Sequence, residues 1–199
     1  MIFKGEQRHP PIMHRPGPLP AVGTVGHAGA MSVPFPGPTT PVPSRAGVFL
    51  GYLDYFRSQL VIRLEGLPAG ELRASRLPSG WTPIGLLKHL TYVERRWLEW
   101  GFEGRDIGDP WADSRDGRWY ASAQETLPDL IGALRAQADR SRAVIESHDL
   151  ADTGQPGERW DGAEPASLER VLFHLLQEYA RHVGHLDIVS ELGGGPTGE

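Results

Sequence analysis

LERVLFHLLQEYARHVGHLDIVSEL, residues 168–192, has the length and periodicity of one long amphipathic helix. From Leu168 the apolar positions step by three and four through Val171 and Leu175, and they resume at Val189 and Leu192. The slots between are filled by Glu178, His182 and His185, with His174 one turn before Glu178. At 100° per residue these four groups fall within an arc of about 80°, inside an otherwise apolar seam. A carboxylate and imidazoles turned toward a bundle interior are costly unless something satisfies them. Glu178 and His182 have the i, i+4 spacing that puts two ligands on one helix face, and a bound divalent cation accounts for the polar break economically.

Three more helical patterns lie upstream. Phe49, Leu53, Phe56, Leu60, Leu64 and Leu67 recur at three- and four-residue steps, and the pattern stops at Gly66 to Pro68. A second helix opens with Thr82 as N-cap and Pro83 in the first helical position, then runs Leu86, Leu90, Val93, Trp97 and Trp100 to about Gly101. A third runs from near Thr126, with Pro128 tolerated in its first turn, through Leu130, Leu134 and Ile145. The fourth begins around Pro165 and stops at Gly193-Gly194-Gly195. Long polar connections separate them and no strand signal is read. The expected fold is all-α, a four-helix bundle over residues 45–195.

Ten of the eighteen prolines precede Arg45, in a stretch with almost no hydrophobic periodicity. Residues 1–44 are therefore read as a disordered Pro- and Gly-rich tail, unable to bury enough surface to offset its conformational entropy. Its His9, His14 and His27 show no ligand spacing, and Met31 offers a second place for translation to start. Pro38 and Pro41 match the PxxP spacing of an SH3-type ligand, a pattern that arises easily among so many prolines. The net charge of −5 leaves no electrostatic footprint for nucleic acid. No apolar run approaches the roughly 18 residues that span a bilayer, and no signal-peptide apolar region is read at the start, so the cytoplasm is the expected compartment. The absence of cysteine excludes a disulfide framework and a protein thiolate, and leaves any metal to histidine and carboxylate.

His89, on the edge of the second helix's apolar stripe, is the histidine on another helix placed to meet Glu178 and His182. Each ligand also has a plainer reading: His89 as a hydrogen-bonded core histidine, Glu178 as the partner of Arg181 or Arg170, His174 as a buried histidine or pocket wall. Two ligands from one helix and one from a facing helix would leave an open coordination position, the arrangement of a catalytic metal site. Zinc is the first choice for such a donor set; nickel, manganese and iron(II) accept it too. Trp97 and Trp100 read as core residues, Trp111 and Trp119 as available to line a pocket. Three function classes fit these residues: a metalloenzyme, a non-catalytic metal-binding protein, and a structural bundle whose His/Glu cluster is a hydrogen-bond network.

The segments Trp81-Thr82-Pro83 through Lys88-His89-Leu90, Val93-Glu94-Arg95-Arg96-Trp97, and Glu178-Tyr179-Ala180-Arg181-His182-Val183-Gly184-His185 resemble the DinB superfamily, in its DUF664 branch, over roughly Ala46 to Leu192. The resemblance implies an up-down-down-up bundle that commonly forms homodimers, with a divalent metal on one ligand from helix two and two spaced i, i+4 on the last helix. It implies His89, Glu178 and His182 as that set, and the glutamate matches the mycothiol-dependent type rather than the commoner three-histidine form. A small thiol such as mycothiol would then be the co-substrate, activated at the metal for transfer to a small electrophile. The alternative within the family is a non-catalytic metal-binding dimer of the stress-response type. Many relatives carry glutamine where this chain has His185. That residue is read as a catalytic candidate, orienting the ligands by hydrogen bonds or moving a proton, with ligation in place of Glu178 the other possibility.

Overall fold

Local chemistry sets where each helix starts. The computed structural model describes residues 32–198, and four α-helices carry it: α1, Arg45–Gly66; α2, Pro83–Glu94; α3, Leu127–Ser147; and α4, Leu168–Leu192. Ser44, Thr82 and Ser167 accept the N–H groups of Gly47, Gly85 and Arg170, satisfying donors that a helix start leaves free. At α3, Thr126 and Asp129 form a reciprocal capping box, each side chain taking the other's backbone N–H. The helices pack as the expected all-α bundle, α1 mainly against α4 and α2 mainly against α3. Leu53, Leu60, Leu86, Leu90, Leu134 and Leu172 are among the fully buried residues between them.

The interior also holds a charge. Glu94, at the end of α2, is fully buried and accepts two hydrogen bonds from Arg57 of α1, at 2.8 and 2.7 Å. Ser141 of α3 donates to it at 2.6 Å, and the hydroxyl of Tyr179 of α4 donates to its other oxygen. One carboxylate thus collects a hydrogen bond from each of the other three helices.

Several expectations are corrected. On α4, Tyr179, Val183 and Leu186 carry the buried seam past the polar group. Only His182 lies in that seam, while His174, Glu178 and His185 sit half-buried on its flank and Leu192 is exposed. The second helix does not continue as α to Gly101. At Arg95 it widens into a π-helical stretch ending at Phe102, and the buried apolar positions step by five from Val93 to Leu98. That extra residue turns Trp97 and Trp100, read as core, to half-buried positions. There is also a strand pair: β1, Ser114–Arg115, runs antiparallel to β2, Arg118–Trp119. Asp116 and Gly117 between them have φ of 52° and 71°, the two positive values a type I′ turn requires.

Of the stretch read as a disordered tail, residues 1–31 lie outside the described residues, and with them His9, His14, His27 and Met31. Within residues 32–44, the stretch from Val33 to Pro36 lies against α1. The Val33 N–H donates to Ser58 Oγ at 3.3 Å, and Phe35 sets its ring edge-on against Tyr52 and Tyr55.

Candidate metal centre

α2 and α4 bring His89, Glu178 and His182 together. One donor atom from each lies within 4.8 Å of the other two. His182 is buried in the seam of α4, with Nε2 at 3.1 Å from Glu178 Oε2. That hydrogen bond outweighs burial and holds the Glu178 carboxyl below the usual carboxylate range, with the nearby histidines adding to the effect. His89 is backed by Asp113: its Nδ1 lies 2.9 Å from Asp113 Oδ2, a contact that favours a proton on Nδ1 and leaves Nε2 as the nitrogen available to a metal. Burial depresses the His89 imidazole more than Asp113 raises it, which favours the neutral form a metal needs.

Trp119 is the other wall. Delivered by the β1–β2 hairpin, its indole stacks on His89 at 4.3 Å and 17°, and stands edge-on to His182 at 4.8 Å. Among the described residues the buried Nδ1 of His182 has no hydrogen-bond partner, so aromatic packing and Glu178 hold that ring. The hairpin can come this close because position 85 is glycine; a Cβ there would sit 3.1 Å from the Trp119 carbonyl oxygen. Trp81 backs Trp119 at 5.7 Å.

The three ligand candidates lie in a cleft of about 520 Å³, with Trp81 and Trp119 on one side and Arg181 and His185 on the other. That volume suits a small organic ligand. His185 shares the cleft, its ring 5.8 Å from that of His182, but makes no hydrogen bond to any of the three. The side chain hydrogen-bonded to His89 is that of Asp113. His174 lies outside the triad, with its Nε2 3.6 Å from Glu178 Oε1 and its ring against Trp97 at 4.6 Å. Trp111 is exposed and faces Arg96 rather than the cleft.

Trp119, read as available to line a pocket, does line this one, and Asp113 is the part the sequence reading lacked. Asp113 lies in an aperiodic loop, where nothing distinguishes a ligand's orienter from a solvated acid. The Asp116-Gly117 pair was a usable signal for the hairpin, and hence for Trp119 beside it.

Two imidazoles, a carboxylate and an orienting carboxylate behind one imidazole form a donor set suited to a divalent ion. The family profile of mycothiol-S-transferases matches residues 48–195. The chain belongs to that family. The match takes in α2, α3, α4 and α1 from Val48 onward, and bears out the resemblance to mycothiol-dependent DinB proteins. Among curated proteins no match to the chain is found. No helix of the described residues is long and apolar enough to cross a membrane.

Proposed function

We propose that this chain is a divalent-metal-dependent S-transferase that joins a low-molecular-weight thiol, mycothiol first, to a small electrophile. The observation that carries this reading is the convergence of His89, Glu178 and His182 in an aromatic-walled cleft of a chain without cysteine. With no thiol of its own, the protein must take the sulfur from a bound molecule. A divalent ion held by these three residues, zinc by preference, would supply the Lewis acidity that favours a thiolate at neutral pH.

The remaining tasks belong to the chain. Trp119 and Trp81 keep water from one side of the cleft and lower the local dielectric, which strengthens charge interactions there. His185 is pushed below the ordinary histidine value by burial, then by His182 and Arg181, so it is neutral at pH 7 and able to accept the thiol proton. The sulfur then gives its electron pair to the electrophilic carbon. A C–S bond forms, and the displaced pair leaves with the departing group or settles on an acceptor atom that takes up a proton.

Cobalt(II)-loaded protein tests the reading. Titration with mycothiol should produce sulfur-to-cobalt charge-transfer absorption, and mass spectrometry should find the S-conjugate when a reactive electrophile is added. A spectrum indifferent to saturating mycothiol would refute the proposal.

A further inference from the structure

Asp113 is 1 % exposed, on a loop, with no helix to justify its burial. A buried carboxylate is costly unless every oxygen is engaged, and here both are. Arg96, itself buried in the π-helical stretch, donates from Nη1 to Oδ1 at 2.6 Å and from Nη2 to Oδ2 at 3.2 Å. Oδ2 also faces Nδ1 of His89 at 2.9 Å.

Arg96 is fixed in turn. Its Nη1 donates to the Pro110 carbonyl at 2.8 Å, and its guanidinium lies 4.5 Å from the Trp111 ring. The backbone of Asp113 accepts the Tyr120 N–H at 2.7 Å, immediately after β2. The residue behind His89 is therefore tied to the same hairpin that lays Trp119 on the imidazole's face.

We propose that Asp113, locked by Arg96, is the positioning residue of the metal centre: it fixes the proton of His89 on Nδ1 and aims Nε2 at Glu178 and His182. This rests on the metal-site reading above. A lone aspartate behind an imidazole competes for its proton. Arg96 shares the aspartate's charge through two hydrogen bonds and so leaves that proton on the ring. The π-helical stretch has a purpose in this arrangement, since it is the element that presents Arg96 to the loop.

The test uses the full chain. Zinc affinity is measured by competition with a chromophoric chelator for the wild type and for Asp113→Asn, a neutral replacement of the same shape, with circular dichroism to confirm the fold. Asp113→Asn should remain folded and bind zinc about 10- to 100-fold more weakly, and its cobalt(II) d–d bands should shift. A folded variant with unchanged zinc affinity and unchanged cobalt bands would overturn the positioning role while leaving the metal site standing. A wild type that binds no zinc would remove the metal site, and this inference with it. Should Asp113→Asn fail to fold, the metal-free wild type decides the matter by long-range ¹H–¹⁵N NMR, with the His89 signals identified through His89→Gln. The Nδ1–H tautomer supports the proposal, and the Nε2–H tautomer overturns it.

Discussion

Glu94 is the residue on which the four helices converge, and its charge decides how it behaves. Burial raises its carboxyl, yet the charge and hydrogen bonds of Arg57, joined by Ser141 and Tyr179, hold it below the usual carboxylate range. Tyr179 is shifted the other way, its phenol raised by burial and then by Glu94, so its hydroxyl keeps the proton it donates. Removing one partner strands the other: Arg57→Met should cost about 3–5 kcal/mol in denaturant unfolding followed by circular dichroism. A loss below about 1 kcal/mol would show that Glu94 had been neutral or water-reached. The sign with pH follows from the depressed value. Glu94 is ionised in the folded state at a pH where the unfolded chain already binds the proton. Its stabilisation is therefore complete above the ordinary carboxylate value and fades as pH falls through the folded one. Plots of melting temperature against pH should drop on the acid side for the wild type and drop less for Glu94→Gln. None of this was legible in the sequence. A single Arg or Glu on an amphipathic helix reads as surface, and only the tertiary meeting of Arg57, Ser141 and Tyr179 makes Glu94 interior.

Elements divide by whether local or distant forces set them. The helix starts at Thr82 and Thr126 were readable because caps act within one turn, and the glycine stop after Leu192 for the same reason. The π-helical stretch escaped because a search for steps of three and four passes over Val93 to Leu98, and settles on Trp97 instead. The flank of α4 was misplaced by one position. Glu178 and Tyr179 are neighbours, and Tyr179 enters the core through its hydroxyl bond to Glu94. The ligand candidates were still found, since i, i+4 spacing survives a small rotation of the helix. The β1–β2 hairpin offers the sharpest test at this scale. Gly117 has φ of 71°, open to glycine but strained for a β-branched residue. Gly117→Val should lower stability by about 1–3 kcal/mol and weaken metal retention by displacing Trp119 from His89. Gly117→Asn, which tolerates positive φ better, should do much less of both. Equal unfolding midpoints and metal contents for Val and Asn would show that the turn does not control Trp119.

At the scale of the whole molecule, the proposed metal joins two helices that otherwise meet only in part. α2 packs chiefly on α3 and α4 chiefly on α1, so His89 on one pair and Glu178 with His182 on the other make the centre a tie across the bundle. An ion that binds the folded chain and not the unfolded one stabilises it by RT ln(1 + [L]/Kd). Its removal also leaves Glu178, held below the usual carboxylate range, to rely on His182 and, at 3.6 Å, His174 for close support. The melting temperature should therefore fall when metal is stripped by a chelator and removal is verified by elemental analysis, and it should return when zinc is restored. Glu178→Ala should lose stoichiometric metal and gain nothing from added zinc. His185→Gln should keep the metal and the zinc-dependent rise, because His185 shares the cleft without a hydrogen bond to the triad. If His185→Gln is the variant that loses metal, the ligand set is His182 and His185 with His89, and Glu178 becomes the group that orients them. Identical melting curves with and without bound zinc would mean that the two helix pairs are held by the core alone, with Arg57, Glu94, Ser141 and Tyr179 as their tie.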